Sequence, residues 1–225
     1  VKLVKICELE FRDGLYYNKS PEKPFTGKVS GIENGEIIKG QKEGLWEYYN
    51  KNGQLNRKEN YKDDKKEGLQ ECYYENGQLE DKGHYKDGKQ EGLWISYYEN
   101  GQLESKIIYK DGKLDGVYEW YYKNGQLQFK QNYKDEKEEG LRERYYPNGQ
   151  LKTKGNYKDG KEVGFWESYH INGQLKSKRI YKDGREEGLW EEYYKDGQLN
   201  YKGNYKDGKK DGLWEYYHKN GQLLG

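Results

Sequence analysis

The stretch "GLWEYYNKNGQLNRKENY" (residues 44–61) contains an aromatic segment, an Asn-Gly pair and a polar segment that ends on tyrosine. The Asn-Gly phrase returns every 24 residues, and a second phrase, "YKDG" or a variant of it, returns at the same interval from Tyr61 to Tyr205. Copies of the first phrase begin at Asn52, Asn76, Asn100, Asn124, Asn148, Asn172, Asp196 and Asn220. Eight copies without an insertion predict an array in which each unit packs mainly on its neighbours.

The composition favours an ordered but thin structure. Only 32% of the 225 residues are hydrophobic and 36% are charged, which on its own is typical of a disordered chain. However, the chain has 26 Tyr, 6 Trp and 4 Phe, and disordered chains are poor in aromatic residues. Each aromatic side chain can bury roughly 150–250 Å², so these residues can supply the missing core.

The charge balance and the cysteines exclude several function classes. Lys+Arg number 41 and Asp+Glu number 40, so no basic excess is available to hold nucleic acid or an anionic membrane by bulk charge. No apolar run approaches the ~20 residues that span a bilayer. Cys7 and Cys72 are isolated, which indicates ordinary thiols rather than a disulfide framework or a zinc site. We expect no metal and no cofactor.

Each unit reads as a hairpin of two strands. Asn-Gly is a strong hairpin signal, because a type I′ turn needs a positive φ at both central residues. A two-residue loop at Asn52–Gly53 predicts four cross-strand pairs, namely Asn50 with Leu55, Tyr48 with Arg57, Glu47 with Lys58 and Trp46 with Glu59. The position of Glu47 holds Glu in seven of eight units, and that of Lys58 holds Lys in all seven complete units. This ladder of opposite charges should fix the register.

The predicted fold is all-β: an elongated, single-layer antiparallel meander of repeated hairpins, solenoid-like in its stacking. Residues 1–40 are interpreted as an atypical N-terminal cap with a shortened hairpin, and residues 41–225 as the array of 24-residue units. In the cap, "VKLVKICELEF" (1–11) predicts a strand and "NKSPEKP" (18–24) a loop. Asn34–Gly35 is expected to make the turn of the shortened hairpin, with Gly27 in the role of Gly44.

Gly44 has a glycine at every equivalent position of the array, through Gly212. Interior glycine weakens a strand, so this position should mark a bulge, a special φ/ψ or an aromatic cover. We expect Tyr61 and its equivalents to lie over these glycines. The repeated Asp63 occupies a turn position that favours Asp for backbone reasons, so it does not indicate calcium.

The unit "YKDGKKDGLWEYY" (205–217) resembles the MORN repeat. It has the aromatic, the Gly-Lys pair, and a second glycine followed closely by aromatic strand positions. The "NGQL" phrase and the 24-residue length look most like a bacterial variant of that repeat, found in proteins described as antitoxins. The resemblance covers about residues 25–225, and "PFTGKV" (24–29) is similar to the start of such arrays in host-associated bacteria.

The resemblance implies a twisted single-layer sheet of hairpins and a binding role, either as a protein scaffold or at phospholipid membranes. Some plant phosphatidylinositol phosphate kinases carry MORN repeats beside a catalytic domain. No GxGxxG loop, HRD or DFG motif occurs in this sequence, so kinase chemistry is not expected. His84, His170 and His218 lie in different units and replace a repeated Asn or Tyr, which indicates ordinary variation rather than an acid–base or metal site.

Tryptophans recur on one predicted face, which we call the Trp face. They either shield the sheet themselves or anchor a partner, and the two roles can coexist. Variable positions on the same face, Tyr48 and its equivalents through Tyr216, would then read the partner. The predicted partner-binding residues are Trp46, Trp94, Trp120, Trp166, Trp190, Trp214, Tyr118 and Tyr216.

The sequence therefore predicts a non-enzymatic protein-binding module or scaffold, acting as a bacterial antitoxin or immunity factor or as a host-facing surface protein. The alternative is a module that binds membrane phospholipid. We expect a protein partner, no nucleic acid, and oligomers through exposed sheet edges as a further route of association. Export is favoured over a cytoplasmic location.

Overall fold

The computed structural model describes residues 3–19 and 23–224. The chain divides into two units, Val1–Lys113 (unit 1) and Leu114–Gly225 (unit 2). Within each unit, successive strands of the repeats pair antiparallel in chain order. The prediction of an all-β antiparallel meander of hairpins is therefore confirmed. The predicted boundary at residue 40 stays a prediction.

Unit 1 starts with a 3-10 helix, Ile6–Glu8, and a separate two-stranded sheet. Its strands are β1 Leu9–Arg12, β2 Leu15–Asn18, β3 Gly27–Val29, β4 Glu33–Ile38, β5 Gln41–Tyr49, β6 Leu55–Lys62, β7 Lys65–Lys66, β8 Gly68–Tyr73, β9 Leu79–Lys86, β10 Lys89–Tyr97 and β11 Leu103–Lys110. The strands from the boundary onwards are β12 Lys113–Tyr121, β13 Leu127–Lys134, β14 Lys137–Tyr145, β15 Leu151–Lys158, β16 Lys161–Tyr169, β17 Leu175–Lys182, β18 Arg185–Glu186, β19 Gly188–Tyr193, β20 Leu199–Lys206 and β21 Lys209–Tyr216.

The predicted hairpin register is confirmed except next to the turn. Glu47 pairs with Lys58, Tyr48 with Arg57 and Trp46 with Glu59, but Leu55 pairs with Tyr49 after a register shift. The predicted pairing of Asn50 with Leu55 is wrong, because the loop has three residues. Asn50 N–H donates to the carbonyl of Gln54 at 2.8 Å, and Gly53 N–H donates to that of Asn50 at 2.9 Å. Gly53 alone has a positive φ, +83°, as in hairpin loops that end on a left-handed glycine.

The tight two-residue turn lies instead at the "KDG" phrase. Asp87 and Gly88 have φ of +50° and +78°, and the flanking lysines Lys86 and Lys89 pair across the turn. Both central residues are left-handed, as a type I′ turn requires. Asp tolerates this conformation better than most residues, so the backbone explanation for the repeated Asp is confirmed.

Gly44 and its equivalents lie at bulges. Gly44 has a φ of +66°, and the register of the preceding strand pair shifts where this glycine would fall. Tyr61 is its cross-strand partner, yet a Cβ on Gly44 would meet no atom within 4 Å. The expected tyrosine cover over this glycine is therefore wrong. The left-handed backbone, not a covering ring, requires the residue.

Successive repeats of one unit are joined by side chains of the turn phrase. In unit 2, Asn124 Nδ2 donates to the carbonyl of Pro147 at 2.8 Å, while Asn124 Oδ1 accepts from Gln126 N–H at 3.0 Å. Tyr122 OH donates to the carbonyl of Tyr145 at 2.9 Å. Both inter-repeat bonds span 23 residues and recur at later repeats of the unit. We call these bonds the turn ladder.

The N-terminal region departs from the predicted cap in two respects. Residues 1–11 do not form one strand, because Val4 makes a parallel bridge to Val29 and the chain then turns through the 3-10 helix into β1. Asn34–Gly35 does not form the turn, because both residues lie inside β4 and Val29 pairs with Gly35. Residues 20–22 of the predicted loop lie outside the described residues.

The described core is small and lies in unit 1. It consists of five buried side chains, contributed by the 3-10 helix boundary and by β3, β4 and β5 and the segment before β3: Leu9, Phe25, Val29, Ile37 and Trp46. Unit 1 thus closes its first hairpin with a conventional apolar cluster. The remaining repeats rely on aromatic rings laid along the sheet.

Replacing Gly149 with valine is expected to lower the free energy of unfolding by about 1–2 kcal/mol, because a β-branched residue would be forced to a positive φ. Gly149 has a φ of +82°, and a Cβ there would lie 2.8 Å from Gln126 Oε1. Replacing Lys154 with alanine should cost less than ~1 kcal/mol, because its ion pair with Glu167 is largely in water. Urea unfolding measures both, and equal costs would contradict the proposed role of the turn.

Candidate functional site

The two faces of each sheet carry different chemistry. Six tyrosine hydroxyls donate to the glutamate two residues earlier on the same face, as Tyr169 does to Glu167 at 2.6 Å. Glu167 also accepts from Lys154 at 2.9 Å, so this face holds the predicted ladder of charges. Side chains alternate along a strand, so Trp166 lies on the opposite side. The tryptophans therefore share one face, and the charge ladder occupies the other.

Tryptophans of the Trp face lie flat on strand glycines. A Cβ added to Gly155 would stand 2.1 Å from the ring of Trp166, and one added to Gly203 would stand 2.3 Å from the ring of Trp214. The same arrangement occurs in unit 1, where Trp46 covers Gly35 and Trp94 covers Gly83. These rings shield backbone that has no side chain of its own.

The pairing extends to the sequence itself. The glycine always precedes its tryptophan by 11 residues, and where this glycine is replaced the tryptophan is usually replaced too. Gln131 pairs with Arg142 in place of the Gly–Trp pair. Trp190 is the exception, because its partner position holds Arg179, whose guanidinium carbon lies 4.0 Å from the ring centroid.

The tryptophans of unit 1 are buried. Trp46 is 0% exposed and Trp94 is 8% exposed. Trp46 donates its indole N–H to the carbonyl of Glu36 at 3.2 Å, and Lys42 Nζ lies 4.2 Å from its ring. These two predicted anchors therefore offer a partner almost no surface. The predicted binding role has to rest on unit 2.

Unit 2 leaves its aromatic residues partly open. Trp120, Trp166, Trp190 and Trp214 are half-buried, and Tyr216 is 40% exposed. Near the start of the unit, four aromatic rings form a cluster. Tyr118 lies 5.5 Å from Phe129, 6.1 Å from Trp120 and 6.2 Å from Tyr133, measured between ring centroids. This cluster lines a depression of about 460 Å³ that Arg144 and Lys152 also border.

A neighbouring depression of about 400 Å³ is strongly basic. Five cations line it, against two carboxylates, Glu162 and Glu167. The five are Arg142, Arg144, Lys152, Lys176 and Arg179. We call this region, with its aromatic walls Tyr157, Trp166 and Tyr181, the basic depression. Apart from Arg144, which fills one of the variable positions, these cations were not predicted as site residues.

Hydrogen bonds position part of this charge. Arg142 donates to Tyr157 OH at 2.6 Å and forms an ion pair with Glu138. Burial raises the pKa of Tyr157, and Arg142 acts in the opposite direction. Burial likewise raises the pKa of Glu162, again opposed by Arg142. Arg142 therefore has anionic and hydroxyl partners, whereas Arg144 makes no ion pair within the described chain and is exposed.

Groups that could carry out catalysis are scattered. No three His, Cys, Asp or Glu side chains among the described residues are placed to hold a metal ion. Burial, and next the charge of Asp81, raises the pKa of Cys72 to about 12, so its thiol stays protonated at neutral pH. His170 Nε2 lies 2.9 Å from the carbonyl of Tyr193, in the position where other repeats place the tyrosine hydroxyl of the turn ladder.

Comparison of the sequence with protein families gives one match, to the MORN repeat variant. It covers eight consecutive stretches, at residues 42–63, 66–87, 90–111, 114–135, 138–159, 163–183, 186–207 and 210–225. The chain belongs to this family. The matched MORN stretches each begin near the start of an aromatic strand and, in the first seven, end at the tight turn. No protein of curated function is similar enough to the chain to count as a relative.

The MORN match also separates repeated from individual features. Trp–Gly stacking, the turn ladder and the charge ladder recur from repeat to repeat and hold the MORN units together. The five cations of the basic depression do not recur, because equivalent positions in unit 1 include Glu80 and Glu104. Within the part of the chain that the structure describes, no helix has the length and apolar character needed to cross a membrane.

Proposed function

We propose that this MORN array is a non-enzymatic protein-binding module or scaffold, and that it binds through the Trp face of unit 2. The observation that carries the proposal is the partial exposure of aromatic and arginine side chains in two adjoining depressions. Aromatic residues and arginine dominate the energetics of protein interfaces, because they bury large areas with few rotatable bonds. The rest of the array positions this surface.

Trp190 is the sharpest test of this surface. Its ring stacks on Tyr205, with centroids 4.8 Å apart, and is covered by Arg179, but no glycine lies beneath it. We expect Trp190→Ala to weaken partner binding at least about tenfold while lowering the melting temperature less than Trp166→Ala, which uncovers Gly155.

The experiment uses the immobilised chain, an extract of the producing cells and quantitative mass spectrometry, followed by affinity measurement with each retained protein. Leu189→Ala is the matched control, because Leu189 is 42% exposed on the opposite face of the same strand. A partner that binds Trp190→Ala as tightly as the unaltered chain would reject the Trp face as the binding surface.

The family resemblance supports a more specific role, as a bacterial antitoxin or immunity factor or as a host-facing surface protein. These roles differ in where the partner is met. Fractionation of the producing cells with an antibody against the chain separates them: recovery at the surface or in the medium supports the host-facing role, and cytoplasmic recovery supports an antitoxin.

Binding to phospholipid is the second candidate, and the basic depression is the observation that favours it. Sedimentation with vesicles of phosphatidylcholine alone, or with 30% phosphatidylserine (about a third anionic lipid, enough to set a negative surface potential), tests it. Salt-sensitive sedimentation with the anionic vesicles only would support lipid binding. Equal recovery in the supernatant for both vesicle types would remove it.

A further inference from the structure

We infer that the basic depression of unit 2 binds an acidic peptide segment in a polyproline II conformation, with a carboxylate at every third residue. The inference rests on the proposed protein-binding function and names the chemistry of the partner. Three observations lead to it: the spacing of the lysines, the aromatic walls between them, and the unused donors of two arginines.

The spacing comes from the repeat. Lys152 in β15 and Lys176 in β17 occupy equivalent positions, with β16 between them. Two strand spacings amount to roughly 9.6 Å. A polyproline II helix has three residues per turn and a rise of 3.1 Å per residue, so equivalent side chains recur at roughly 9.3 Å. Carboxylates three residues apart would therefore match both lysines from one side of the peptide.

Aromatic side chains provide the surface between the two cations. Trp166 lies in β16, and its ring centroid is 5.3 Å from that of Tyr157 and 5.9 Å from that of Tyr181. Both tyrosine rings meet the indole edge-on, at 84° and 68°. Grooves between such rings are the usual receptors for polyproline II segments, because the peptide is already extended and loses little entropy on binding.

The arginines add donors that the chain itself does not use. Arg142 Nε and Arg179 Nε are buried and have no hydrogen-bond partner among the described residues. Arg144 is exposed at the rim and makes no ion pair there. Guanidinium groups bind carboxylates through paired N–H donors, so these side chains favour an anionic partner over a neutral proline-rich one.

Unit 1 provides a natural contrast. Its positions equivalent to Lys152 and Lys176 are Glu80 and Glu104, and that to Arg179 is Ile107. Burial and then the neighbouring Asp81 raise the pKa of Glu80, the behaviour of an acidic rather than a basic surface. The repeat therefore folds with glutamate at these positions, so charge reversal in unit 2 is expected to leave the fold intact.

The test measures binding of fluorescein-labelled peptides to the whole chain by anisotropy at low salt. The probe is (Glu-Pro-Pro)4; a peptide of the same composition with its four glutamates contiguous tests the spacing, and (Gln-Pro-Pro)4 tests the charge. We expect the spaced peptide to bind at least fivefold more tightly than the contiguous one. We expect no binding of the glutamine peptide, and a marked loss of affinity when salt is raised.

The double variant K152E/K176E should weaken binding of the spaced peptide at least tenfold with an unchanged melting curve. Its matched control is K158E/K182E, which makes the same change of net charge at the exposed far ends of the same two strands. The control should alter affinity less than twofold. An equal loss in both variants, or equal affinity for the spaced and contiguous peptides, would overturn the inference.

Two further outcomes identify a different occupant and also overturn it. If no peptide binds but anionic vesicles sediment the unaltered chain and not K152E/K176E, the depression serves a membrane. If K152E/K176E abolishes a self-association seen by analytical ultracentrifugation while no peptide binds, a second copy fills it. A partner dependent on Trp190 but indifferent to K152E/K176E would leave the proposed function standing and reject the acidic segment.

Discussion

Replacing Gly155 with valine is expected to lower the free energy of unfolding by about 3 kcal/mol, the upper part of the range for overpacking a closely packed site. Trp166 lies on this glycine so closely that a Cβ would stand 2.1–2.6 Å from three ring atoms. The ring would have to leave the sheet, and it would lose both of its tyrosine neighbours. Urea unfolding followed by far-ultraviolet circular dichroism measures the change.

Asn156→Val is the matched control, because Asn156 follows Gly155 in the same strand and is exposed on the opposite face. It should change stability by less than ~0.5 kcal/mol. A second variant, Gly155→Gln with Trp166→Arg, copies the Gln131–Arg142 pair of the preceding repeat. Equivalents of the partners of Arg142 are available in Glu162 and Tyr181. This pair should recover most of the loss; a double variant as unstable as Gly155→Val would show that the two positions are not coupled.

Replacing Glu59 with alanine should lower the free energy of unfolding by about 3 kcal/mol. Glu59 is 1% exposed, and its carboxylate lies 2.6 Å from Lys66 Nζ and 3.1 Å from Arg57 Nε. Removing one partner of a buried ion pair costs roughly 3–5 kcal/mol, and the lower end applies because both cations retain about a third of their surface in water. Thermal and urea unfolding at pH 7 test it.

Glu47→Ala is the control for charge alone. Glu47 lies on the opposite face, has 31% of its side chain exposed and stands 4.0 Å from Lys58, so its loss should cost less than ~1 kcal/mol. Equal effects of Glu59→Ala and Glu47→Ala would show that burial of the carboxylate contributes nothing.

Glu59 also gives the stability a defined pH dependence. Burial by itself raises the pKa of this carboxyl, but hydrogen bonds from Lys66 and Tyr61 and the charge of Arg57 outweigh it and hold the pKa below the ordinary value of 4.5. A lowered pKa in the folded state stabilises the fold above pH 4.5, and this stability is lost as the pH falls through the folded pKa. The difference between Glu59→Gln and the unaltered chain should therefore shrink below pH 4.5. A constant difference from pH 7 to pH 3 would contradict the assignment.

The sequence predicted what depends on periodicity. The pairing of Glu47 with Lys58 followed from a strand period of two and a repeated charge pattern, so it holds in the structure. The turn types were assigned to the wrong phrases, because the side chain of Asn52 bonds to Gln54 N–H and stabilises a longer loop. Asp87–Gly88 supplies two left-handed residues instead.

The site was harder to predict, because it depends on which strand lies beside which. The tryptophans were placed on one face, but the burial of Trp46 depends on apolar residues of the first hairpin, such as Ile37 and Phe25. Which glycines are covered follows from an offset of 11 residues that pattern analysis did not single out. The basic depression is invisible in a net charge of +1, because the cations of unit 2 are offset by acids elsewhere in the chain.

The turn ladder has a consequence for how such a chain can change its length. Each Asn of the ladder bonds to a backbone carbonyl of the next repeat rather than to a particular side chain, so it accepts Pro147, Ile171 or Lys195 there. Removing or duplicating a block of 24 residues inside unit 2 would present an equivalent carbonyl at the new junction, whatever the point of the cut. Unequal crossing-over between copies of the gene can therefore yield folded products at once. A cut of any other size would leave the amide without an acceptor and shift every charge of the opposite face out of step.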